Sequence, residues 1–127
     1  MREINVINIE NAVRDLCISA NIILPKSLEN CIKCSIDNEA SSTGTEVLGD
    51  ICKNIDVARR ENIAICQDTG MAIIFLEVGQ DVHFFGGNLI ESINKGVARG
   101  YNEGYLRCSI VSDPLERVNT GDNTPAV

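Results

Sequence analysis

Apolar residues recur at helical spacing through the first half of the chain. Ile9, Ala12, Val13, Leu16, Cys17 and Ala20 stand at i, i+3, i+4, i+7, i+8 and i+11, one face of a helix. Leu24-Pro25 ends it, because the residue before a proline resists helical dihedrals. Leu28, Cys31, Ile32, Ser35 and Ile36 repeat the pattern in a shorter second helix. Asp37 to Thr45 is small and polar and reads as a loop. Thr43 and Glu46 have capping-box spacing, which predicts a third helix starting there. Its apolar stripe is Leu48, Ile51, Cys52, Ile55 and Ala58. Arg59 and Arg60 place cations at its negative end, and Asn62 is a C-terminal stop.

The second half changes character. Met71 to Val78 is a near-continuous apolar run of strand length, rich in β-branched residues and ending at Gly79. Such a run predicts a strand covered on both faces. Val82-His83-Phe84-Phe85 follows the Gly79-Gln80-Asp81 turn as a second, weaker strand. Asn88 is an N-cap for a fourth helix with Ile90, Ile93, Val97 and Tyr101 on its apolar face. Gly96, Gly100 and Gly104 recur every fourth residue, and each costs up to ~1 kcal/mol against alanine in a helix. That cost points to close backbone approach by another element, with a frayed helix as the alternative reading. From Arg107 onward the chain runs into a loop-like stretch, Asn119 to Pro125, with no cap or closing helix. The end is therefore expected to be a truncation. The predicted class is α+β: N-terminal helices, then a small buried β-sheet, then a glycine-edged packing helix.

Composition narrows the function. At 127 residues the chain is the size of one domain, and 44% hydrophobic with 23% charged residues is globular. Eleven basic against eighteen acidic residues give a formal charge of −7. That disfavours a nucleic-acid surface and an anionic membrane face, both of which need clustered Lys and Arg. A small anionic substrate stays open, since one or two placed arginines override the mean field locally. No apolar run reaches membrane-span length, and the N-terminus lacks a secretion-signal profile, so a cytoplasmic location is expected.

Six cysteines are many for this length, and a reducing compartment keeps such thiols from pairing. Cys17, Cys31 and Cys52 fall on helical stripes, where Cys behaves as a small hydrophobe. Cys31 and Cys34 form a lone CxxC, without the second pair of a zinc site or the βαβ setting of a redox motif. His83, the single histidine, sits in the short second strand and reads as a structural or surface residue rather than a general base. Arg99 and Glu103 read as a solvated i, i+4 pair.

The sharpest local feature is Cys66-Gln67-Asp68-Thr69-Gly70, a polar loop between core elements. Cys66 can ligate iron as a thiolate, Asp68 can handle a proton or a hydroxyl, and Gln67 offers donor and acceptor to a carboxylate. The same five residues also fit a plain turn at a strand edge. Arg107 has the fork that grips carboxylates, or it simply caps a helix.

Taken together, several ordered stretches resemble class I (iron–sulfur) fumarate hydratase. They are Ile65 to Ala72, Glu77 to Val82, Gly96 to Tyr101, Gly104 to Arg107, Asp113-Pro114-Leu115 and Asn119 to Ala126. The match is dense from about Ile63 and looser before it. It resembles the N-terminal portion of an alpha subunit, and the alpha subunit of L-tartrate dehydratase is similar. The resemblance implies reversible hydration of fumarate to L-malate at an open iron of a [4Fe-4S] cluster. It implies Cys66 as one of three cluster cysteines, Gln67 and Asp68 as the substrate-contacting pair, with Asp68 catalytic, and Arg107 as the carboxylate-binding arginine.

The chain departs from the family pattern in one respect. Cys17, Cys31, Cys34, Cys52 and Cys108 do not correspond to the family's other two cluster cysteines. Residues 1–127 are thus expected to be an N-terminal fragment of the hydro-lyase alpha-subunit domain, inactive alone and without an intact cluster. The expected partners are a small dicarboxylate, a beta subunit or C-terminal domain, and further copies of itself. Two alternatives stand beside this: a non-catalytic helical interaction module, and a thiol redox sensor built on Cys31 and Cys34.

Overall fold

Six elements follow one another: β1 (Arg2–Asn5), α1 (Val6–Ile22), α2 (Lys26–Asn38), α3 (Ser42–Glu61), β2 (Val82–Phe85) and α4 (Leu89–Glu103). All residues, 1–127, are described in this computed structural model. The class is α+β. No helix is long and apolar enough to cross a membrane. The chain divides into two compact units, one of residues 1–19 with 67–127 and one of residues 20–66.

In the first unit, β1 and β2 pair in parallel with Arg2 opposite Val82 and Asn5 opposite Phe85. β1 escaped the sequence reading because four residues are too few to show a period. Each strand leads into a helix through an asparagine. The Asn5 side chain accepts from the Ile7 amide at 3.0 Å, and the Asn88 side chain accepts from the Glu91 amide at 3.1 Å. These caps satisfy N–H groups that the first helical turn leaves without partners.

The glycine edge of α4 lies against α1. A Cβ on Gly96 would sit 2.6 Å from the Glu10 carbonyl oxygen and 2.8 Å from the Val13 Cβ. One on Gly100 would meet the Cys17 Cβ at 2.7 Å, and one on Gly104 the Ile18 Cγ1 at 2.9 Å. The helices approach closely because these positions carry no side chain. Val13, Ile93, Val97 and Tyr101 are buried here, whereas Leu16 and Ile90, predicted inward, face solvent. Arg99 is also more than a solvated partner of Glu103. It reaches Glu10 at 2.8 Å and the Asn11 side chain at 3.0 Å, tying α4 to α1.

The largest correction falls on Met71 to Val78, which belongs to no sheet and is not buried. Its side chains alternate between exposed and half-buried up to Phe75 and are exposed thereafter. Its backbone has one partner, Val127: the Ile74 N–H donates to the Val127 carbonyl at 2.8 Å, and the Val127 N–H donates to the Ala72 carbonyl at 3.0 Å. Apolar composition reports what a segment can bury. Burial itself needs a covering layer, and these residues have none.

In the second unit, α2 packs on α3. Glu29 is 2% exposed and meets Lys33 at 2.7 Å, Arg59 at 2.8 Å and Lys26 at 3.2 Å. The inward face of α2 is therefore Glu29, Ile32 and Ile36, with Leu28 and Cys31 outside. On α3, Ile55 and Ala58 are buried and Ile51 is not. The cap of α3 is Ser41, whose hydroxyl accepts from the Gly44 amide, in place of the predicted Thr43 box. Asn62 ends α3 as expected, in the left-handed conformation at φ 55°.

Candidate functional site

Gln67 to Gly70 opens the second stretch of the first unit and is fixed from behind by three side chains. The Thr69 hydroxyl accepts from the Arg107 amide at 2.9 Å and donates to the Arg107 carbonyl at 3.2 Å. The Tyr101 hydroxyl lies 3.0 Å from the Thr69 carbonyl and 3.3 Å from that of Gly70. The Asn123 side-chain amide donates to the Gly70 carbonyl at 3.1 Å. Gly70 itself has φ 61°, a conformation that costs glycine little.

Asn123 is the hub of the supporting layer. It is fully buried, and its side-chain oxygen accepts from the amides of Ser109 at 2.6 Å and Ile110 at 3.0 Å. Around it the polar stretch folds on itself. The Asn119 side chain donates to the Cys108 carbonyl, the Thr120 amide donates to the Ile110 carbonyl, and Val111 bridges to Asn119. The Thr124 hydroxyl donates to Asp122 at 2.7 Å, which holds that carboxyl below its ordinary range. Burial lifts the Tyr101 hydroxyl above the usual phenol value, so it remains a donor. Burial, then the Asp122 charge, raises the Cys108 thiol, which disfavours its thiolate.

The predicted site residues are thus partly assembled. Gln67, Asp68 and Arg107 are exposed, and the Thr69 clasp brings the Arg107 backbone to the Gln67–Gly70 loop. The Arg107 guanidinium enters no ion pair. Cys66 is exposed and is the last residue of the second unit, directly preceding Gln67 in the chain. Cys31 and Cys34 are exposed on α2, and His83 is exposed on β2. No three His, Cys, Asp or Glu side chains gather into a metal-holding group. Cys66 suits a single thiolate ligand, but these residues do not by themselves complete a three-cysteine set. Sequence reasoning missed Thr69, Tyr101 and Asn123 as the elements that build the site. Thr69 showed only as part of the Cys66–Gly70 loop, Tyr101 only as an apolar-face residue of the fourth helix, and Asn123 only within a run of Asn, Thr and Asp that reads as loop by composition.

Comparison with known proteins shows the family of the chain as a whole. A profile of the family described as "Fumarate hydratase (Fumerase)" matches residues 10–127. A Methanocaldococcus jannaschii protein named as an L(+)-tartrate dehydratase subunit alpha is 32% identical over 124 residues, covering 94% of this chain and 43% of its own length. The anaerobic class I fumarate hydratase of Escherichia coli is 40% identical over 92 residues, which are 71% of this chain and 17% of that protein. Fumarate hydratase 2 of Leishmania major is 35% identical over 92 residues, 16% of its length. The chain belongs to the fumarate hydratase (fumerase) family. It spans less than half of the archaeal subunit and about a sixth of the fumarate hydratases it matches.

Proposed function

We propose that this chain forms the dicarboxylate-contacting part of a family hydro-lyase that interconverts fumarate and L-malate. The observation that supports the reading is the Thr69–Arg107 clasp, which ties the Arg107 backbone to the loop that carries Gln67 and Asp68, some forty residues earlier in the chain. Arg107 grips one carboxylate in a two-pronged fork. Gln67 donates to a second carboxylate oxygen and accepts from a hydroxyl. Asp68 relays or positions the proton exchanged at the substrate. The Tyr101 hydroxyl and the Asn123 side-chain amide occupy the Thr69 and Gly70 carbonyls. Cys66 serves as one ligand of a [4Fe-4S] cluster whose other ligands lie outside this set of residues. Such a cluster, when bound, supplies Lewis acidity toward a hydroxyl leaving group. The groups required for turnover are therefore completed by a beta subunit or C-terminal domain, within an oligomer.

An NMR titration of this chain with fumarate and with L-malate tests the part present. Shifts confined to Gln67, Asp68, Thr69 and Arg107, lost in Arg107→Ala, are the expected result. Shifts elsewhere, or an unchanged response in Arg107→Ala, would overturn the reading. Anaerobic reconstitution with iron and sulfide is expected to give neither a stable cluster nor turnover from this chain alone.

The coverage of 94% of the chain by the archaeal tartrate dehydratase subunit favours a second substrate, L-tartrate. Its extra hydroxyl is a further hydrogen-bond group, so the same titration with L-tartrate discriminates the two.

A further inference from the structure

The segment 71–78 is apolar, lies in neither helix nor sheet, alternates exposed with half-buried residues from Met71 to Phe75 as an extended chain does, and is hydrogen-bonded along one edge only. Ala72 and Ile74 direct their backbone groups toward Val127, through two bonds that have the pattern of a parallel bridge centred on Ile73. In an extended chain, alternate residues point their N–H and C=O groups to opposite edges. Ile73, Phe75 and Glu77 therefore present theirs on the far edge, and none of the three makes a backbone hydrogen bond. Met71, Ile73, Phe75, Leu76 and Val78 are all exposed, Phe75 to 94%. The segment has no Pro, Lys or bulge of the kind that protects a natural edge, and Glu77 is its single charge.

We propose that this edge is an inner strand position, completed by a β-strand from the remaining part of the family's alpha-type subunit. The inference rests on the reading of this chain as one part of that subunit, and it names the surface where the next part joins. The length relation supports that occupant, since the archaeal subunit is matched over only 43% of its length. A second copy is the poorer fit: each copy carries a charge of −7 and places Glu77 in the pairing strand.

Amide hydrogen exchange tests the edge. The residues that follow the matched stretch in the Methanocaldococcus jannaschii subunit are fused after Val127. The fusion and the 127-residue chain are then compared. The amides of Ile73, Phe75 and Glu77 are expected to exchange freely in the chain and at least ~100-fold more slowly in the fusion. Phe75→Pro in the fusion is expected to remove protection at Ile73 and Glu77 while the α4 amides stay protected, which controls for folding. The same residues supplied as a separate polypeptide are expected to give a one-to-one complex by ultracentrifugation. Free exchange at all three amides in the fusion, together with no complex in trans, would overturn the proposal. So would protection of these amides in a concentration-dependent dimer of the chain alone, which would make a second copy the occupant. Neither readout involves a dicarboxylate, so a failed substrate titration leaves this result standing, and the reverse holds.

Discussion

Thr69 and Arg107 stand 38 residues apart and bond each other twice, through one hydroxyl that both accepts from the Arg107 amide and donates to its carbonyl. Valine at position 69 keeps the shape and loses both bonds. Thr69→Val is expected to destabilise the first unit by about 0.5–1.5 kcal/mol, the ordinary net value of a hydrogen bond or two near solvent. Exchange at the Arg107 amide should rise, while Glu91 at the start of α4 is unaffected. Fumarate-induced shifts at Gln67 should weaken in parallel, since the loop and the arginine are no longer held together.

Asn123 carries more. Its side chain is fully buried and satisfies three backbone groups, those of Gly70, Ser109 and Ile110. Its own backbone is left-handed, at φ 59°. Asn123→Gly keeps that conformation and removes only the side-chain bonds. The loss is expected to be about 2–4 kcal/mol, because the part-buried Ser109 and Ile110 amides lose their partner while the Gly70 carbonyl keeps the Tyr101 hydroxyl. Asn123→Ala adds backbone strain to the same loss. Urea denaturation of the two variants should rank Ala below Gly, the opposite of the usual order in a helix.

The glycines of the two units should respond in opposite directions. At Gly96 an added methyl meets the Glu10 carbonyl and Val13 closer than atoms tolerate, and the contact is with backbone that cannot swing away. Gly96→Ala is expected to cost about 1–3 kcal/mol through overpacking, outweighing the ~1 kcal/mol gain in helix propensity. Gly49, inside α3, has nothing within 4 Å of such a methyl. Gly49→Ala should therefore stabilise its unit by up to ~1 kcal/mol. Thermal unfolding followed by circular dichroism distinguishes the two.

These responses also show which parts of the structure the sequence made legible. Repetition was readable: the Gly96-Gly100-Gly104 spacing announced a close helix contact, and α1 lies there. So were local helix ends, since Asn88 caps α4 with its own side chain and Asn62 ends α3 through its own left-handed backbone. Position on a helix face was less readable. Leu28 and Glu29 are neighbours, and hydrophobicity alone chooses Leu28 as the buried one. Three cations around Glu29 reverse that choice, and two of them lie on its own helix, where the pattern of apolar residues does not register them. Ser41 and Thr43 are both competent caps two residues apart, so the start of α3 depended on which turn closed first. The extended segment 71–78 was readable as strand-like, but its neighbours were not, because pairing is a property of distant residues. At the site, Cys66, Gln67, Asp68 and Arg107 stood out by chemistry. Thr69, Tyr101 and Asn123, which hold the Gln67–Gly70 loop and the Arg107 backbone, act through side-chain bonds to backbone groups far off in the chain, and such partners leave no mark in the sequence.

Glu29 gives the second unit a definite pH response. Hydrogen bonds from Lys33, Arg59 and Lys26 hold its carboxyl at about 2, against an ordinary value of 4.5. A depressed carboxyl contributes stability that is complete above the unfolded value and disappears as pH falls through the folded one. The α2–α3 contact is thus expected to be insensitive to pH above about 5 and to weaken steadily between about 4.5 and 2. Glu29→Gln removes the titration while keeping the size of the side chain. It should lower stability at pH 7, where the three cations lose their counter-charge, and flatten the acid limb of the profile. Asp113 and Asp122 are also depressed, by the Glu116 and Leu115 amides and by Thr124 respectively, so some acid sensitivity persists in the first unit. Unfolding followed at residues of each unit separates the contributions. An acid limb at α2 and α3 that survives Glu29→Gln would show that another group holds those helices together.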